Sequence, residues 1–139
     1  MSARHHTLRV STRGPGLVEI TREIANWLAL QNASDGLLTV FCRHTSASLL
    51  IQENADPSVQ RDLQRFFAQI APHAKGLWEH DTEGPDDMPA HVRAALTQTS
   101  LSIPVIGGRM ALGTWQGVYV FEHRDAPHVR EIVLMLTGA

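Results

Sequence analysis

His44 closes an apolar run, Leu37-Leu38-Thr39-Val40-Phe41-Cys42-Arg43, and is followed by Thr45, Ser46 and Ser48 before the chain turns apolar again at Leu49-Leu50-Ile51. Connections between strands ordinarily hold Gly, Asn, Asp or Pro, so an imidazole and a row of hydroxyls at this point are candidates for chemistry. Hydroxyls also cap local turns, and a strand-end histidine is commonly a packed one. His80 lies in Leu77-Trp78-Glu79-His80-Asp81, a loop that gives it no packing role. Loops often carry function, and they also carry exposed histidines without any. His91 falls in the first turn of the "DDMPAHVRAAL" segment, where the positive end of a helix disfavours imidazolium. A neutral ring is the form a metal ion or a general base requires, and the same helix end offers free N–H groups to a phosphate. Glu79, Asp81, Glu83, Asp86 and Asp87 lie around these residues, as a solvated face or as a cation cup.

A second polar set sits in "LGTWQGVYVFEHRD". On a strand, Trp115, Gly117, Tyr119, Phe121 and His123 share one face, and Gln116, Val118, Val120, Glu122 and Arg124 share the other. Two readings stand. Trp115 and Phe121 are core with Glu122 and Arg124 at a solvated edge, or Gln116, Glu122 and Arg124 reach a pocket with Glu122 as a proton carrier.

Eight histidines in 139 residues exceed ordinary usage, yet their spacing matches no metal module. There is no HExxH, no CxxC, no phosphate-binding glycine loop and no G-x-S-x-G elbow around Ser46. Spacing alone supports a metal centre only weakly.

The elements that must position these groups follow from periodicity. Residues 4–12 alternate as a half-buried strand, Gly14-Pro15-Gly16 turns, and Leu17 to Ile20 forms a second strand. From Thr21 the period becomes helical through Ile24, Trp27 and Leu28, with Thr21 at the N-cap and Ile20 as its hydrophobic staple. Strands follow at Leu37 to Arg43 and Ala47 to Gln52. Asp56-Pro57 opens a helix whose apolar stripe is Val59, Leu63, Phe66, Phe67 and Ile70. A loop spans 73–87, and a helix runs from Asp87 to about Thr97. Strands then occupy 101–106, 109–113, 115–123 and 128–136, with Gly107-Gly108 as a turn. This order gives an α+β fold, mostly antiparallel, on a single domain over 1–139. Its long β-rich end suggests a sheet face covered by another copy of the chain.

Bulk properties narrow the classes. A net charge of -2 without any Lys/Arg cluster argues against a nucleic-acid partner. A hydrophobic content of 43% suffices for one core, and the single cysteine, Cys42, reads as a buried hydrophobe. No signal core or membrane-length segment is apparent, so a cytoplasmic protein with no membrane partner is expected.

The blocks His44-Thr45-Ser46-Ala47-Ser48-Leu49, Glu53-Asn54-Ala55-Asp56-Pro57, Trp78-Glu79-His80, Asp87-Met88-Pro89-Ala90-His91 and Leu112-Gly113-Thr114-Trp115-Gln116-Gly117 resemble, in order, the motifs of the YjbQ-like family. The resemblance covers about Gly36 to the end, departing only in Gln52, where Asn is common before the Glu. It implies strands in two sheets with two to three helices, a homotrimer, and a divalent metal, with zinc the leading identity, on His44, His80 and His91. It also implies a weak, secondary thiamine-phosphate synthase activity, which joins an aminopyrimidine pyrophosphate to a thiazole phosphate. On that view Thr45, Ser46, Ser48, Trp115 and Gln116 bind a small-molecule substrate. Arg124 and the ion neutralise the leaving pyrophosphate, and Glu122 moves a proton. Metal-assisted hydrolysis and a non-catalytic, trimeric metal- or ligand-binding protein are the competing expectations.

Overall fold

The computed structural model describes residues 2–138. The alternating segments form strands β1 (Ala3–Thr12), β2 (Gly16–Glu19), β3 (Gly36–Cys42), β4 (Ala47–Glu53), β5 (Ser100–Ile106), β6 (Arg109–Met110), β7 (Gln116–Glu122) and β8 (His128–Gly138). Helices α1 (Thr21–Ala29), α2 (Pro57–Ile70) and α3 (Asp87–Leu96) complete the order. Pairing is antiparallel throughout and produces two sheets, a five-stranded one ordered β1-β8-β3-β5-β6 and a three-stranded one ordered β2-β7-β4. The α+β expectation holds, and each expected strand is present within a few residues.

Period-two alternation decides which side of each strand is dry. Leu38, Val40 and Cys42 of β3, with Ile132, Leu134 and Leu136 of β8, turn inward from the large sheet. They meet Ala47 and Leu49 of β4, and Val118 and Val120 of β7, from the small one. Ile20, Ile24 and Leu28 insert α1 into the same core. The helix starts differently from the expectation. Ile20 occupies the N-cap with no side-chain cap, because the Thr21 hydroxyl donates to Glu19 Oε2 (2.9 Å) and accepts the Val118 N–H (2.9 Å). The hydroxyl thus ties the helix to β7.

Asp56 does cap α2, accepting the Ser58 N–H at 2.9 Å, with Pro57 in the first turn. The stripe behind it is only partly used. Phe67 packs edge-on against Phe121 at 5.4 Å, while Phe66 and Ile70 stay exposed. With α2 and α3 over its second face, the small sheet is covered on both sides, and β7 is buried from Gly117 to Glu122. This overturns the solvated-edge reading of Glu122.

Glu122 instead projects between the sheets, fully buried, onto Arg130 of β8. Arg130 donates through Nε to Oε1 (2.7 Å) and through Nη2 to Oε2 (2.5 Å), and the Thr12 hydroxyl donates to Oε1 (2.6 Å). Backbone N–H groups of His123 and Arg124 complete Oε2 at 3.0 and 3.1 Å. Burial alone would raise this carboxyl's pKa; the Arg130 and Thr12 hydrogen bonds overcome that and hold it below its ordinary value.

His123, one residue on, lies on the opposite face of β7 under α3. Its Nε2 pairs with the Ser48 hydroxyl at 2.9 Å, which also receives Thr97 Oγ1, and its Nδ1 is buried with no hydrogen-bond partner. Burial, and then the charge of Arg93, push its pKa from 6.5 down to about 3. The folded protein therefore refuses a proton that the unfolded chain accepts as pH falls below 6.5. Stability from this group is complete above 6.5 and lost progressively toward 3, at up to about 1.4 kcal/mol per pH unit. Urea unfolding between about pH 7 and pH 5 should show this decline, and His123→Gln should flatten it by close to one proton's worth. An unchanged slope in the variant would place the acid sensitivity elsewhere.

Candidate functional site

The loop before α3 and the helix's first residues build the site. Gly84, at φ +104, turns the chain so that Asp86 and Asp87 follow side by side into the helix. Asp86 does not cap α3, because its carboxylate accepts Arg124 Nε (2.8 Å) and the Asp125 N–H (2.9 Å). Asp87 Oδ1 accepts Arg124 Nη1 at 2.8 Å, and the third arm, Nη2, donates to the Glu83 carbonyl at 3.0 Å. Arg124 is thereby committed to the loop and helix end. It holds acids in place and has no fork left for a leaving group.

Asp87 Oδ2 faces the other way. His80 Nε2 lies 2.7 Å from it and His91 Nε2 3.2 Å, and the two rings stand 5.5 Å apart. Asp87 and His91 share a helix face as an i, i+4 pair. One ligand atom from each of His80, Asp87 and His91 falls within 4.8 Å of the others. The carboxylate side chain is 2% exposed, whereas His80 is 46% and His91 29% exposed, so the group is anchored below and open above. Burial alone would raise the Asp87 pKa, but the His80 hydrogen bond and the charges of His91 and Arg124 hold it below its ordinary value.

His91 carries the most specific information. Its Nδ1 lies 2.8 Å from the Thr45 carbonyl, which can only accept, so Nδ1 holds the proton. In a neutral ring Nε2 then presents a lone pair toward the lone pairs of Asp87 Oδ2. Such a meeting needs a proton or a cation between the two atoms. A ligating histidine whose other nitrogen donates to a carbonyl is the usual second contact at metal centres.

The remaining expected residues are dispersed. His44 does not join the other two imidazoles within the chain. Its Nε2 accepts the Glu131 N–H at 2.7 Å, and Arg130 Nη1 lies 3.4 Å from Nδ1. Burial and the Arg130 charge lower its pKa. The group that falls together among the described residues is His80, Asp87 and His91, and Asp87 was absent from the expected ligand set; the i, i+4 Asp/His spacing was the available signal. Thr45 contributes its carbonyl, as above. Ser46 is buried, accepting Arg130 Nη2 on both its carbonyl and its hydroxyl, and Ser48 is buried against His123. Trp115 and Gln116 sit at the far end of β7 from Glu122, roughly 20 Å away at strand rise. There the Gln116 side chain accepts the Gly113 N–H and Trp115 is exposed. Glu122, locked between the sheets, has no route to a substrate.

The profile of the UPF0047 YjbQ-like family matches residues 6–139. A UPF0047 protein of Synechocystis sp. is 51% identical over 94% of this chain and 89% of its own length. The UPF0047 protein YjbQ of Escherichia coli O157:H7 is 44% identical over 95% of this chain and 96% of its own. Among solved structures, the conserved hypothetical protein TT1486 of Thermus thermophilus superposes with a TM-score of 0.82 at 36% identity, covering 93% of this chain and 97% of that one.

Arg124→Gln removes the cation between Asp86 and Asp87 and leaves two poorly solvated carboxylates adjacent. The expected cost is about 3 kcal/mol in urea unfolding, partly recovered in the Arg124→Gln/Asp86→Asn double variant. A loss below about 1 kcal/mol, typical of an exposed pair, would show that the clamp carries no load.

Proposed function

The chain belongs to the UPF0047 YjbQ-like family, and from that premise we propose that His80, Asp87 and His91 form a divalent-metal centre of an enzyme acting on a small phosphorylated or heteroaromatic substrate. The observation that carries this reading is the convergence of two imidazole nitrogens on one buried carboxylate oxygen, Asp87 Oδ2, with the other nitrogen of His91 already committed to the Thr45 carbonyl. Two imidazoles and a carboxylate suit zinc and other first-row cations, and three protein donors leave positions for water or substrate. An ion bound there would polarise a phosphate oxygen or lower the pKa of a bound water. This chain's residues supply the rest. Thr45 fixes the His91 tautomer, Arg124 orients Asp87 and keeps it ionised, and the open side admits the substrate. Thiamine-phosphate formation remains the named candidate reaction, with metal-assisted phosphoester hydrolysis as its rival on the same centre. A cytoplasmic setting fits a chain in which, among the described residues, no helix is long and apolar enough to cross a membrane.

Zinc titration of chelator-treated protein should reach one ion per chain. His91→Ala or Asp87→Asn should weaken binding by about a hundredfold or more. Turnover of thiamine precursors or phosphoesters should require the ion and vanish in His91→Ala. Stoichiometric zinc without any turnover would leave a binding protein. Absence of zinc binding would remove the centre.

The assembly we propose is a homotrimer. On the outward face of the large sheet, Leu37 and Phe41 of β3, Ile106 of β5 and Val129 of β8 are exposed, and register puts Phe41 beside Val133. An apolar sheet face of this kind fits a second copy. Light scattering should give three times the chain mass, and Phe41→Glu should shift it toward the monomer. A monomeric wild type would refute this assembly.

A further inference from the structure

A cavity of about 320 Å³ opens beside the His80, Asp87, His91 group, walled by His73, Lys75, Trp78, His80, Asp81 and Pro85. Its volume lies at the lower end of small-molecule sites. A larger cavity of about 540 Å³ beside α1 offers only Arg109 as a charged wall and no group suited to chemistry. His80 belongs to both the smaller cavity and the metal group, so a molecule filling that cavity would touch a ligand of the proposed centre.

The walls divide by chemistry. Trp78 is half-buried, and its indole N–H donates to the Pro72 carbonyl at 3.1 Å, which pins the ring and spends its only polar atom. What remains for a ligand is the flat π-face, which favours another ring. Lys75 is the single lysine of the chain, every other Lys/Arg position being arginine. An ammonium is a compact, mobile point charge suited to a phosphoryl oxygen, whereas arginine forks favour fixed bidentate partners. His73 and His80 add donors, and Asp81 is the one carboxylate among the walls. We propose that this cavity is the substrate seat and takes an aromatic phosphate monoester, the ring on Trp78 and the phosphoryl group at Lys75. A phosphoryl group has three terminal oxygens, so it can meet Lys75 with one and the proposed ion with another. Only that second contact rests on the metal reading; the ring and ammonium contacts do not.

Phenyl phosphate, measured by calorimetry on the full chain, tests the seat in metal-free and zinc-loaded protein. Metal-free protein should bind it more tightly than inorganic phosphate. Lys75→Gln, at an exposed position where folding is not at issue, should weaken it about tenfold, and Lys75→Arg should recover part of the loss. Trp78→Leu should bring phenyl phosphate down to the level of inorganic phosphate. Zinc should tighten wild-type binding about tenfold further, an increment that His91→Ala alone abolishes. Equal binding by wild type and Lys75→Gln, or no preference for phenyl phosphate over inorganic phosphate, would overturn the proposal. Sensitivity to Lys75 and Trp78 without a zinc increment would uphold the seat and remove the contact between phosphoryl group and ion instead.

Discussion

The buried pair of Glu122 and Arg130 is the constraint from which the rest of the architecture hangs. One partner belongs to each sheet, and neither can be left alone in the interior, because an unpaired buried charge costs several kcal/mol. The sheets are therefore fixed in one relative placement. The pair also organises both flanks of the candidate site without touching it. Glu122 accepts the backbone N–H groups of the next two residues, turning the chain as it leaves β7 and sending Arg124 toward the start of α3. Arg130 grips Ser46 by its carbonyl and hydroxyl, which holds the 44–46 segment so that the Thr45 carbonyl meets His91. A saturated ion pair in the core thus sets the positions of a carboxylate, through Arg124, and of an imidazole, through Thr45.

Much of this was legible in the sequence wherever one periodicity acts over a continuous segment. Alternation in β3 and β8, the Asp56-Pro57 helix start and the Gly107-Gly108 turn are local signals, and local physics decides them. His80 and His91 were singled out for sound local reasons, a loop without packing and a helix start. What was not legible depends on partners distant in sequence. Alternation put Glu122 on the right face of β7, but nothing local says that this face meets Arg130 rather than solvent. The strand-end position of His44 was correct, yet its role turns on a single N–H of Glu131, which only β-sheet pairing reveals. Gln116 was grouped with Glu122 by sharing one face of a strand, and Trp115 joined them through the family resemblance, although a strand of that length carries its two ends far apart. Asp87 was read as a helix opener and as one of five carboxylates forming a solvated face or a cation cup; what singles it out is its Arg124 contact, which comes from another part of the chain.

The order of strands in the large sheet has a consequence for how the chain is made. β8 lies between β1 and β3, so it is interior to the sheet although it leaves the ribosome after both of the strands it pairs with. Until it emerges, β1 and β3 each carry an unpaired edge, and Glu122 waits for an arginine not yet synthesised. Contacts spanning nearly the whole chain, such as Ala3 with Thr137, make folding slow to begin and hard to divide into stages. A nascent chain stalled before residue 128 would thus present open β-edges to its neighbours, the condition under which holdase chaperones are needed most.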